Sequence, residues 1–147
     1  MKASEFYTQQ VANDGKEFNL PDPFGKPTGQ KITLRHAQSN IGRAGRAIVQ
    51  AKVPQLLGEE KDPLKRQLLQ EDLVAEALSY LVIGWTLDDE CTPAAAKDLF
   101  VNAPYLIDWA DEITSSGEHF FPKASAALLN MPGRGRGSKG QRAKAAS

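Results

Sequence analysis

The chain has 147 residues, is 41% hydrophobic and 24% charged, and carries no formal net charge. Those figures describe a globular chain able to bury a moderate core and exclude wholesale disorder. The balance is uneven: Arg134, Arg136, Lys139, Arg142 and Lys144 take five of the 18 basic residues, which leaves 13 against 18 acids, about −5, in residues 1–132. An acidic body with a basic end is not the pattern of a folded surface that binds nucleic acid. Cys91 is the one cysteine, so an intrachain disulfide is excluded and a reducing, cytoplasmic setting is expected. The N-terminus "MKASEFYTQQVANDGKEF" lacks the apolar core of a signal peptide. The longest apolar stretch, "LSYLVIGW", is far short of the roughly 20 residues a membrane-spanning helix needs, so no membrane contact is expected.

In chain order, residues 3–11 read as a short helix ended by the turn "NDG" at Asn13–Gly15. Residues 18–20 look extended, and "PDPFGKPTG" over 21–29 is too rich in Pro and Gly for a helix. "KITLRH" alternates Ile32 and Leu34 with polar residues, the period of a strand with one buried face. Together they predict a β-hairpin at about 17–36, which must pack on helices to be stable. Ser39 can cap a helix that runs to about Val53 and stops at Pro54, with Ile41, Ala44, Ile48 and Ala51 at helical spacing. Gly42 and Gly45 give that helix small residues where another helix can come close. Asp62 and Pro63 start the next helix, with Leu64, Leu68, Val74, Leu78, Leu81 and Val82 on one stripe, widened by Leu69, Leu73 and Ala77, as far as Gly84. Thr92-Pro93 repeats the cap and proline before "AAAKDLFV", and "NAP" breaks that helix. "YLIDWADEI" turns Leu106, Ile107, Ala110 and Ile113 inward and Asp108, Asp111 and Glu112 outward. "EHFF" packs back, and "PKASAALLN" over 122–130 reads as a last short helix. The expected fold is α+β and predominantly α-helical. A small hairpin packs on about five helices in one domain over 1–131, followed by a flexible basic tail over 132–147, which holds no large apolar residue that would offset the entropy of ordering.

No catalytic constellation stands out. "FGKPTGQK" fails as a phosphate loop because its glycine spacing and the proline after Lys26 are wrong, so it reads as a hairpin turn. His36, His119 and Cys91 lie too far apart in sequence to suggest a metal site. Asp88, Asp89 and Glu90 precede a helix N-terminus, where acids are favoured by the dipole, and they would raise the Cys91 pKa rather than activate its thiol. No cofactor is implied. Arg35, Arg43 and Arg46 group beside the hairpin, as a solvated face or a protein-binding patch. The tail, through Arg134, Arg136, Lys139 and Arg142, is compositionally like segments that bind phosphates, but it lacks interleaved aromatics.

One ordered pattern carries more than any single residue: "LVAEALSYLVIGWTLDDECTPAAAKDLFVNAPYLIDWADEITSSGEHFF", from Leu73 to Phe121, preceded by the hairpin and "KITLRHAQS". The "GW" turn, the "NAP" break and the terminal "FF", over roughly residues 16–130, resemble the tail assembly chaperones of long, flexible-tailed bacteriophages. The resemblance implies a non-enzymatic protein of the infected bacterial cytoplasm, absent from the mature virion. It would coat the helical tape-measure protein in many copies, keep it soluble and help recruit tail-tube subunits. It also implies a longer form made by ribosomal frameshift, whose extension contacts the tube protein and for which the tail would be a linker. Under this reading Trp85, Phe100, Tyr105, Trp109 and Phe121 are candidate client contacts, although aromatics at helical spacing also suit a core. Two other readings stay open: a nucleic-acid-associated protein acting through its tail, and a small phage structural or adaptor protein.

Overall fold

The computed structural model describes residues 1–121. The helix expected over 122–130 and the basic tail from 132, with Arg134, Arg136, Lys139 and Arg142, lie outside them. The described residues form an α+β fold dominated by helix, with six α-helices and a three-stranded antiparallel sheet.

The N-terminal segment departs from the expected single helix. A 3-10 turn, Ala3–Phe6, precedes helix α1, Gln9–Asp14, and Gly15 at φ +78° ends it. Thus "NDG" is the last turn of the helix and its glycine stop. Strands β1, Lys16–Pro21, and β2, Pro27–Leu34, form the expected hairpin, with Phe18 opposite Ile32 and Lys16 opposite Leu34. Its loop is built by Asp22, whose Oδ1 accepts from the Phe24 and Lys26 amides at 2.9 and 2.8 Å, so "FGKPTG" is turn chemistry.

Helix α2 spans Asn40–Leu57 and runs through Pro54 instead of stopping at Val53. Pro54 stands in the last turn, so the one bond its missing N–H removes, to the Gln50 carbonyl, lies close to the helix end. Beyond it Leu57 is buried, and the Arg66 guanidinium donates to the carbonyls of Leu57 and Glu60, which satisfies the helix end. Helix α3 spans Pro63–Ser79, α4 Pro93–Asn102, α5 Tyr105–Ser115 and α6 Gly117–Phe120. The three expected caps are made: Ser39 Oγ accepts from Gly42 N, Asp62 Oδ1 from Leu64 N and Thr92 Oγ1 from Ala95 N.

The expected helix through Val82 to Gly84 ends earlier. Residues Val82–Trp85 are strand β3, paired with β2 so that Ile32 faces Trp85 and Leu34 faces Val82. Arg35 N donates to Leu81 O at 2.8 Å, so β2 takes up the chain as soon as α3 finishes. The sheet order is β1-β2-β3. Its inner face contributes Leu20, Ile32 and Leu34 to the main core, which Ala75, Leu78, Leu81, Phe100, Leu106 and Ala110 complete from α3 to α5. A smaller cluster, Val49, Leu57 and Leu73, joins α2 to α3. Glu76 ties three helices, accepting from Lys52 at 2.7 Å and lying 3.7 Å from Lys97, which also reaches Asp72 at 3.0 Å.

Candidate functional site

The α2–α3 contact is set by small residues. A Cβ built on Gly45 would stand 2.5 Å from the Tyr80 ring, and one on Gly42 2.8 Å from the Leu81 side chain. The face of α2 turned to the protein is therefore Gly42, Gly45, Val49 and Leu57. The stripe expected to face inward, Ile41, Ala44, Ile48 and Ala51, is exposed; Ile41 and Ile48 keep 45% and 46% of their surface. The physical reason is that the glycines allow a closer helix approach than the stripe would, and a closer approach buries more of the partner helix. On α3 the first half of the stripe is also exposed, with Leu64 at 65% and Leu68 at 55%, because α4 has 10 residues and cannot cover all 17 of α3.

Between α2, α3 and the end of α5 lies a groove of about 660 Å³. Its floor is Leu73, Ala77, Leu78 and Leu81 of α3 and the loop after it; Val49, Val53 and Leu57 form one wall, and Thr114 and Ser115 the other. Arg46 and Asp111 stand among its lining residues on opposite walls. Val53 and Val74 are both more than one-third exposed, so apolar surface there meets water. A groove of this volume, with few polar groups at its edge, has the size and chemistry of a site for an apolar helix face or a small apolar molecule.

The aromatic candidates do not gather there. Phe100 is 1% exposed and belongs to the main core, so it is not a contact residue. Trp85 and Trp109 are half-buried against the same core, and Trp85 Nε1 donates to Asp89 O at 2.7 Å, closing the acidic loop. Tyr105 lies at the surface, with its hydroxyl donating to Pro21 O at 3.0 Å, on the hairpin. Phe121 packs 5.3 Å from the His36 ring, and Phe120 lies edge-on to that ring at 5.0 Å. The arginines diverge as well: Arg43 points to solvent, Arg35 donates to Tyr80 O, and Arg46 donates to Ala37 O at 3.0 Å beside the groove. The groove is aliphatic, and sequence reasoning missed it by placing its apolar residues in a closed core.

His36 is buried, Nδ1 accepting from Gln38 N at 3.0 Å while Nε2 has no hydrogen-bond partner among the described residues. Burial pulls its pKa below the ordinary histidine value, and a weaker contribution from the Ser116 backbone works the other way. Cys91 is a free, half-buried thiol whose pKa is pushed up. The direction is the expected one, but the cause is burial rather than the neighbouring acids. Among the described residues no group of three or more His, Cys, Asp or Glu is placed to hold a metal ion, and no helix is long and apolar enough to cross a membrane.

No protein-family model, curated protein or solved structure matches the chain. The site is therefore read from its own geometry: a mostly aliphatic groove whose floor is buried and whose Val53 and Val74 are open to water.

Proposed function

We propose that the chain is a non-enzymatic assembly chaperone that binds apolar faces of amphipathic helices in the groove between α2, α3 and α5. The observation that carries the reading is the groove itself, about 660 Å³ and lined mostly by aliphatic side chains. A helix laid in it would place residues at i, i+3, i+4 and i+7 against Val53, Val74 and Ala77, lining residues that keep open surface. The exposed Ile41 and Ile48 of α2 and Leu64 and Leu68 of α3 are further apolar surface on the same two helices. The order of elements that resembles the phage tail chaperones makes the tape-measure protein the proposed client, with tail-tube subunits recruited afterwards and many copies spread along one client. The acidic body, about −5 over residues 1–132, would keep such a loaded complex soluble.

The test is co-expression of the full chain with the longest helical protein encoded just downstream of its gene, beside a sample lacking residues 132–147. A client that becomes soluble and co-purifies supports the reading. A client that stays insoluble, with the chain eluting together with nucleic acid at low salt only when residues 132–147 are present, overturns it in favour of the tail.

A further inference from the structure

The geometry points to the kind of helix this groove selects: one whose apolar stripe is edged by acids on one side and bases on the other, and which therefore docks in a single direction. The inference rests on the groove being a helix site, the reading given above, and adds the charge pattern and polarity of its partner.

Length comes first. The aliphatic groove does not end at Val74. A second concavity of about 760 Å³ continues it toward the start of α3, and Gln70, Val74 and Asp111 line both. Along α3 the lining residues Pro63, Gln67, Gln70, Val74, Ala77 and Leu78 recur every three or four positions apart from the last pair, as one face of a helix does. From Pro63 to Leu78 that face is about 22 Å long, room for about four turns of a docked helix.

Charge is the second argument, because the two sides of this trough carry opposite signs. Helix α2 has no acid in its 18 residues, and its exposed Arg46 lines the aliphatic half. At the other half Lys61, in the loop that joins α2 to α3, and Arg66, which donates to the α2 carbonyl of Leu57, continue the basic side. Across from them α5 presents Asp108 and Asp111, three residues apart on one helix face and both exposed. Glu71, the other charge that lines the second half, lies on α3 itself and accepts from Gln67 at 3.3 Å. Among the described residues Arg46, Asp108 and Asp111 form no ion pair. Arg46 uses Nη2 on Ala37 O, which leaves guanidinium donors for a carboxylate.

Direction follows from this asymmetry. A helix with its apolar stripe down meets α2 along one edge and α5 along the other. Turning it end for end exchanges the edges, so only one direction sets acids against Arg46, Lys61 and Arg66 and bases against Asp108 and Asp111. An exposed ion pair contributes about twofold to fivefold in affinity, so three pairs together give about tenfold.

The experiment measures binding of synthetic helical peptides, about four turns long, to the full chain by fluorescence anisotropy. All share a leucine stripe and one composition. One peptide has Glu along one edge and Lys along the other, a second has these edges exchanged, and a third mixes Glu and Lys along both. The first two should bind about tenfold tighter than the third at low salt. That advantage should shrink below about twofold at 0.5 M salt, where the screening length is about 4 Å. A photo-crosslinker at the peptide N-terminus should label opposite ends of the trough for the first two, near Arg46 for one and near Pro63 for the other. In Asp108→Lys/Asp111→Lys, where both sides are basic, a fourth peptide with Glu on both edges should become the tightest binder, a gain that a misfolded variant cannot give. Equal binding of all three peptides at low salt, labelling of the same end by the first two, or an unchanged ranking in the double variant would each overturn the inference and leave the groove as a helix site. Absence of binding by every peptide would overturn the groove reading and this inference with it.

Discussion

Replacing Gly42 by alanine tests how the groove's floor and wall are held together. At an open helical site this change stabilises by about 1 kcal/mol, because alanine is the better helix former. Here the new Cβ would stand 2.7 Å from Ala37 O, 2.8 Å from the Leu81 side chain and 2.9 Å from Ser39 Oγ. Two of these atoms are pinned. Ala37 is held by the hydrogen bond its N–H donates to Thr114 O and by the one its carbonyl accepts from Arg46, and Ser39 Oγ by the cap it makes with Gly42 N at 3.0 Å. Overpacking costs about 1–3 kcal/mol, and a disturbed cap adds about 1 kcal/mol. After the helix-forming gain, the net loss is about 2 kcal/mol. At roughly 4 °C per kcal/mol for a domain of this size, the thermal midpoint should fall by about 8 °C. Circular dichroism melts of the wild type and of Gly42→Ala measure it, with Gly84→Ala as the control, since nothing lies within 4 Å of a Cβ there. A midpoint that rises in Gly42→Ala would refute the reasoning, because α2 would then not approach the α3 end closely enough to shape the groove.

His36 should make stability pH-dependent. Its pKa is lowered in the fold, so the unfolded chain binds the proton more readily. Its contribution is complete above the unfolded value and is lost as the pH falls from about 6.5 toward the folded value. Urea titrations at pH 7 and pH 5.5 should show a smaller drop in His36→Asn, which keeps an acceptor for Gln38 N, than in the wild type. Phe100→Ala should cost about 3–5 kcal/mol in the same titrations, as loss of a fully buried ring does; a change under 1 kcal/mol would return Phe100 to the list of contact residues. Val74→Asp, at a residue that is 41% exposed on the groove, should alter the midpoint by only a few degrees and abolish client co-purification. Client capture that survives it would move the binding face elsewhere.

How much was legible in the sequence follows from which signals are local. Caps are local: Ser39, Asp62 and Thr92 each name a helix start within three residues, and each makes its hydrogen bond. The hairpin is local too, since alternation about Ile32 and Leu34 flanks a loop of prolines and glycines. Strand β3 was not legible in the same way. Leu81 and Val82 satisfy a helical stripe as well as a strand, and only the edge of β2, about fifty residues upstream, decides between them. The β-branched pair Val82-Ile83 ahead of Gly84 was the one available hint.

The groove was hidden for a different reason. Periodicity says that a residue shares a face with its neighbours at three and four, but not that anything covers the face. On α2 the sequence offers two such faces, one of isoleucine and alanine and one of glycine and valine, and apolarity alone favours the first. Packing reverses the choice, because Gly42 and Gly45 let Tyr80 and Leu81 close on the backbone, which larger residues would prevent. Close contact at that end leaves α2 and α5 as walls over the α3 floor, with Val53 and Val74 still open to water. Gly42 and Gly45 are thus what lets α2 close against the end of α3, and the apolar surface beyond their contact is where the proposed partner helix would sit.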